Sequence, residues 1–277
     1  MPKVYNVDEP DEEFQYKVGK WIHLCFAHAP EKLRERFSVG LVLCTMWFIW
    51  IMFLLEQILP KEFVAEYFIL DIYDPTIPRM FFTNYIHQLQ SLDHILSTTI
   101  LFGITCILII VFNMRRKPVF AATFLTFILL LPFHISAISI IILKHTGITA
   151  TIGFSGISCA FLGYLSYTMI ATMWDFTITY NYGKYEAVPW VLVNKFLIAT
   201  IVIVVLPILY YVLETFLLNG FANAAAHVSG FIAGLILPQL IGIFIGTNRW
   251  KWKIYSLIML LTWLFSPALY IVVINYL

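Results

Sequence analysis

Charge is scarce in this sequence. Only 12% of its 277 residues are Asp, Glu, Lys or Arg, against roughly 25% in a soluble domain. The scarcity excludes a fully hydrated surface, and the 61% share of hydrophobic residues makes lipid the expected solvent for most of the exterior. Paired cysteines are lacking as well. Cys25, Cys44, Cys106 and Cys159 are scattered and show no CxxC spacing, which excludes a disulfide framework or a zinc knuckle. There is no Gly-rich nucleotide loop and no internal repeat. The first residues, MPKVYNVDEPDEEF, are acidic and lack an apolar core, so a cleaved signal peptide is not expected. The net charge of +1 says nothing about nucleic acid, because distribution matters here and the total does not; no nucleic-acid partner is expected.

Long apolar runs, by contrast, are plentiful. Spanning a bilayer as a helix takes about 20 mostly apolar residues. Seven windows qualify, at roughly 38–58, 94–113, 119–143, 155–174, 190–215, 226–246 and 254–275. Basic residues set the orientation. With the N-terminus in the cytoplasm, Lys32, Arg34, Arg36, Arg115, Arg116, Lys117, Arg249, Lys251 and Lys253 all lie inside, and only Lys61, Arg79 and Lys144 lie outside. The expectation is an all-α, multi-pass protein of the cell membrane, N-terminus in and C-terminus out. Residues 1–37 are expected to form a cytoplasmic arm in which Phe14, Val18, Trp21, Ile22 and Cys25 recur at helical spacing, which fits either a short interfacial helix or a partly ordered tail. The segment from about 59 to 93 is apolar enough (Phe63, Val64, Tyr67, Phe68, Phe81, Phe82) to sit in the outer interface.

Polar side chains at membrane depth are costly, so each raises a functional hypothesis. The second, fourth and sixth spans run in one direction, from outside to inside. His94, Ser155 and His227 stand at their outer ends, so three polar side chains arrive at similar depth on parallel helices. Below them, Ser155, Cys159 and Gly163 recur every four residues on the fourth span, and Ala226, Gly230 and Gly234 on the sixth. Small residues at this spacing let two membrane helices approach closely. Such packing brings Ser155 and His227 within reach, where an imidazole takes the hydroxyl proton as the oxygen attacks.

Three segments then match one family. Gly153-Phe154-Ser155-Gly156 resembles the GxSG nucleophile motif of rhomboid intramembrane serine proteases. Ala226-His227-Val228-Ser229-Gly230, followed by Gly234, resembles the rhomboid AHxxGxxxG segment. Arg79-Met80-Phe81-Phe82-Thr83, then Tyr85-Ile86-His87 and His94-Ile95-Leu96, resembles the stretch that leads from the first loop into the second helix. The motifs stand in family order between about 38 and 246. The resemblance implies a six-helix catalytic core over 38–246 and an extra C-terminal transmembrane helix over 247–277. It implies Ser155 as nucleophile and His227 as general base, then acid, in a dyad. The oxyanion falls to the Ser155 backbone N–H and the His94 side chain, with Thr98 where the family usually has Asn. Gly153, Gly156, Gly163, Ala226, Gly230 and Gly234 are motif and packing positions. The activity implied is hydrolysis of peptide bonds in or near transmembrane segments of single-span or polytopic substrates in the bilayer, with no cofactor.

Other polar residues carry less. His134 and His145 lie in or near the third span, but no HExxH or carboxylate–histidine pattern accompanies them, so no metal is expected. Glu214 and Lys195 on the fifth span are read as snorkelling toward their nearer interfaces. Two rivals to proteolysis are a catalytically inactive rhomboid-like protein that binds client membrane helices and a small transporter. Transporters often show internal repeats around a midplane site, whereas here the polar residues gather near one face.

Overall fold

The structure, a computed structural model, describes residues 31–87, 92–112, 117–151, 153–182, 221–246 and 249–276. The elements in chain order are α1 (Glu31–Ile58), α2 (Lys61–Tyr67), β1 (Leu70–Asp71), α3 (Ile77–Phe82), α4 (Leu92–Phe112), α5 (Lys117–Leu129), α6 (Leu131–Leu143), β2 (Ala150–Thr151), α7 (Ser155–Tyr182), α8 (Phe221–Gly246) and α9 (Trp250–Tyr276). The fifth span, with Lys195 and Glu214, and residues 1–30 of the N-terminal arm lie outside the described residues; residues 31–37, expected in the arm, belong to α1.

Four of these helices contain stretches long and apolar enough to cross a membrane: Arg36–Ile58, Leu92–Phe112, Ala224–Gly246 and Trp250–Ile271. Their outer faces are apolar and uncovered. Trp47 is 71% exposed and Leu269 64%. Large apolar patches of this kind are rare on soluble monomers, and the fold is that of an all-α membrane protein.

The third expected span is not one helix. It is divided into α5 and α6, which meet at a bend of 46°. Pro132 stands in the first turn of α6. It has no N–H, and its ring clashes with the carbonyl four residues back, on Ile128. That carbonyl accepts the Tyr85 hydroxyl instead. In lipid a bare carbonyl costs several kcal/mol, so a break here requires a donor from elsewhere. A second proline, Pro267, lies inside α9, and the His134 ring of α6 packs against that helix one turn earlier, at Trp263. The imidazole stacks on the Trp263 indole, with centroids 4.0 Å apart and a 20° interplanar angle. The last helix is thereby keyed to α6.

The core is built around α7. This helix runs eight residues past the expected end of the fourth span, and from Ser155 to Met169 nearly every side chain is buried. It is too rich in Ser, Thr, Gly and Tyr to face lipid on its own, and α4 and α8 pack against it. Aromatic rings fill the space on the α4–α5 side. Phe161 meets Phe102 edge-on at 4.9 Å and Phe127 at 5.2 Å.

On the other side, α7 and α8 touch backbone to backbone. A Cβ at Gly230 would fall on the Gly156 carbonyl oxygen, and one at Gly234 on that of Ala160. A Cβ at Gly163 would fall on the Phe231 oxygen and lie 3.0 Å from the Gly234 Cα. Partner numbers rise together along both helices, so α7 and α8 are parallel. On α7 the closest row is Gly156, Ala160 and Gly163. The row expected from the sequence was Ser155, Cys159 and Gly163; Gly163 is common to both, and the first two positions are each displaced by one residue.

Candidate functional site

Ser155 opens α7, and the approach to it is held by the long loop between α1 and α4. Leu70 pairs with Thr151 and Asp71 with Ala150 in the two-residue antiparallel sheet. Ile72 N–H adds a bond to the Thr149 carbonyl at 2.9 Å. Thr83 then clamps both sides. Its hydroxyl donates to the Thr151 carbonyl at 2.5 Å and accepts the Leu70 N–H at 3.3 Å. Its own carbonyl accepts the Gly153 N–H at 2.8 Å. Gly153 has φ +131°, which L side chains rarely adopt. The chain therefore turns sharply into the helix, with Phe154 fully buried as an anchor.

The first i→i−4 bond here runs from Ser158 N–H to the Phe154 carbonyl at 3.0 Å. The N–H groups of Ser155, Gly156 and Ile157 precede it, at the positive end of a 28-residue helix. Such N–H groups suit a developing negative charge.

His227 lies one residue beyond Ala226, whose carbonyl oxygen would be 3.2 Å from a Cβ on Gly156. Gly156 is thus packed between Ala226 and Gly230, and Ser155 and His227 stand at one level on two parallel, touching helices. Both are buried. A small cavity of about 10 Å³ adjoins Ser155, with Ala226 and Gly153 in its wall. That is room for about one water. The wall is polar, with the hydroxyls of Thr83, Ser136, Ser139, Thr151 and Ser155 and the amide of Asn84. Asn84 donates from Nδ2 to Ser136 Oγ at 2.9 Å and to the Pro132 carbonyl at 3.2 Å. Ser136 in turn donates to the Met80 carbonyl at 2.6 Å.

His94 occupies the first turn of α4 and is exposed; Thr98, one turn on, is buried. Neither lines the cavity. His94 lies within electrostatic range of both His227 and His87. The His87 and His94 rings are 5.8 Å apart, centroid to centroid, at 57°. Burial, with a smaller contribution from His94, holds the His87 imidazole down to about pKa 4. Among the described residues, no three His, Cys, Asp or Glu side chains gather as a metal site.

Sequence reasoning singled out Ser155, His227, His94 and the glycines. It missed the clamp by Thr83 and the polar wall of Asn84, Ser136, Ser139 and Thr151. One signal was present: Ser136 and Ser139 are three apart on a helix that is apolar apart from them and His134, so they share a face. Compared with known proteins, the chain matches no family model and no curated sequence.

Proposed function

We propose that this chain is an intramembrane serine endopeptidase of the rhomboid type. The observation that carries the reading is the shared level of Ser155 and His227 on α7 and α8, whose backbones touch at Gly156, Ala226 and Gly230. On this reading the bundle is a six-helix core over 38–246 with an added seventh span over 247–277. Its N-terminus is cytoplasmic and its C-terminus outside.

His227 takes the Ser155 hydroxyl proton as Oγ attacks the scissile carbonyl, then gives it to the leaving amine. The backbone N–H of Ser155 and the His94 ring hold the oxyanion, with help from Thr98. One preorganised donor of this kind is worth about 3–4 kcal/mol. The polar cavity beside Ser155 has room for the water that hydrolyses the acyl-enzyme. A substrate helix in lipid has its carbonyls already bonded, so substrates with small or helix-breaking residues near the outer end of their span are preferred.

The test is cleavage of a labile single-span substrate by the purified protein and by Ser155→Ala. Loss of cleavage in the variant is expected; equal cleavage rejects the assignment. A rhomboid-like pseudoprotease that binds client helices is the second reading, favoured by Thr98 where the family usually has Asn. Fluorophosphonate labelling separates the two, because only the protease is labelled at Ser155.

A further inference from the structure

His87 is 1% exposed, yet among the described residues neither of its ring nitrogens has a hydrogen-bond partner. Buried polar atoms are nearly always paired. A neutral imidazole has one N–H donor and one bare acceptor, so His87 keeps both unused inside the protein. The residue is nonetheless held in place. Its backbone N–H donates to Glu56 Oε2 at 3.1 Å, and Glu56 is itself 5% exposed on α1.

The ring that His87 faces is His94, at 5.8 Å and 57°. Two imidazoles sharing a hydrogen bond have centroids about 5 Å apart, so closing the gap takes less than about 1 Å. His94 is the exposed partner and sits in the first turn of its helix. Which nitrogen of a neutral histidine carries the proton is set by what the other nitrogen accepts. If His94 is to donate to an oxyanion, its N–H must be on the nitrogen that faces the substrate.

We propose that His87 is a positioning residue for His94: its ring N–H donates to one nitrogen of His94 and so keeps the His94 proton on the opposite nitrogen, available to the reacting carbonyl. The inference rests on the protease reading above. Burial supports it, since it keeps His87 neutral at physiological pH and hence with one N–H to give and no second charge beside His94.

The experiment uses the full chain in proteoliposomes with a single-span substrate. His87→Met should lower kcat about 10- to 100-fold, approaching the loss of one oxyanion donor, with KM changed less than twofold. Its melting midpoint should match or exceed that of the parent, because two unpartnered buried polar atoms are removed. His87→Gln keeps an N–H donor and should recover kcat several-fold over His87→Met. In a His94→Ala background, His87→Met should cost nothing more. A His87→Met enzyme with kcat within twofold of the parent, beside an inactive Ser155→Ala, overturns the role of His87 alone. So does a lower melting midpoint with equal loss of kcat in the Met and Gln variants, which would make His87 purely structural. Undiminished cleavage by Ser155→Ala overturns the protease reading and this inference with it.

Discussion

The Gly156 carbonyl oxygen lies against the Cα of Gly230, with no space for a methyl group between them. This contact sets the distance between the two helices that present Ser155 and His227. Gly230→Ala should push α8 away from α7, costing about 1–3 kcal/mol as overpacking and most of the proteolytic activity. Gly242→Ala is the control: its Cβ would meet Val119 at an ordinary 3.9 Å. Thermal unfolding in detergent, alongside cleavage rates, should show a loss for Gly230→Ala and little change for Gly242→Ala.

Thr83→Val keeps the shape of the side chain and removes the hydroxyl that donates to Thr151 and accepts from Leu70. Leaving those groups unpaired should cost about 1–3 kcal/mol and loosen the turn into Ser155. Thr83→Ser should behave as the parent. A Thr83→Val protein that matches the parent in both melting point and kcat would remove the clamp from the description of the site.

Tyr85→Phe strips the Ile128 carbonyl of its donor, with an expected cost of about 1–3 kcal/mol. Pro132→Ala restores an N–H four residues after that carbonyl. In the Pro132→Ala background the Tyr85→Phe cost should therefore shrink. A double-mutant cycle by denaturant titration measures the coupling; additive costs would show that the two residues do not serve the same carbonyl.

Acid should destabilise the fold through His87. Unfolded, this histidine binds its proton near pH 6.5; folded, only near 4. Between those values the unfolded chain holds the extra proton, so stability is full above about pH 6.5 and declines as pH falls toward 4. The decline reaches about 3 kcal/mol at its limit. His87→Met should flatten this part of the pH–stability curve, and an unchanged slope would assign the acid sensitivity to other groups.

The apolar runs of α1, α4, α8 and α9 were readable because lipid demands a continuous stretch of side chains, which composition alone reveals. Three features were not. The break before Pro132 is invisible to hydropathy, and its stability depends on a Tyr85 hydroxyl 43 residues away in sequence from Ile128. The last turns of α7 contain Asp175 and Asn181, so an apolar window stops near 174 although the helix continues to Tyr182. The packing row on α7 passes through Gly156 and Ala160, because carbonyl contact rather than side-chain spacing decides it. Within the candidate site, the motif residues were legible at short range. The Thr83 clamp joins residues 68 apart, which no local pattern encodes.

Pro132 does more than bend its helix. Lipid gives a membrane chain little means of telling one apolar helix from another. A proline changes that by exposing a carbonyl that only a particular donor, correctly placed, can satisfy, as the Tyr85 hydroxyl does for Ile128 at the break before Pro132. A bundle that failed to bring Tyr85 to this carbonyl would leave an oxygen bare in hydrocarbon, so the break favours the native pairing over others.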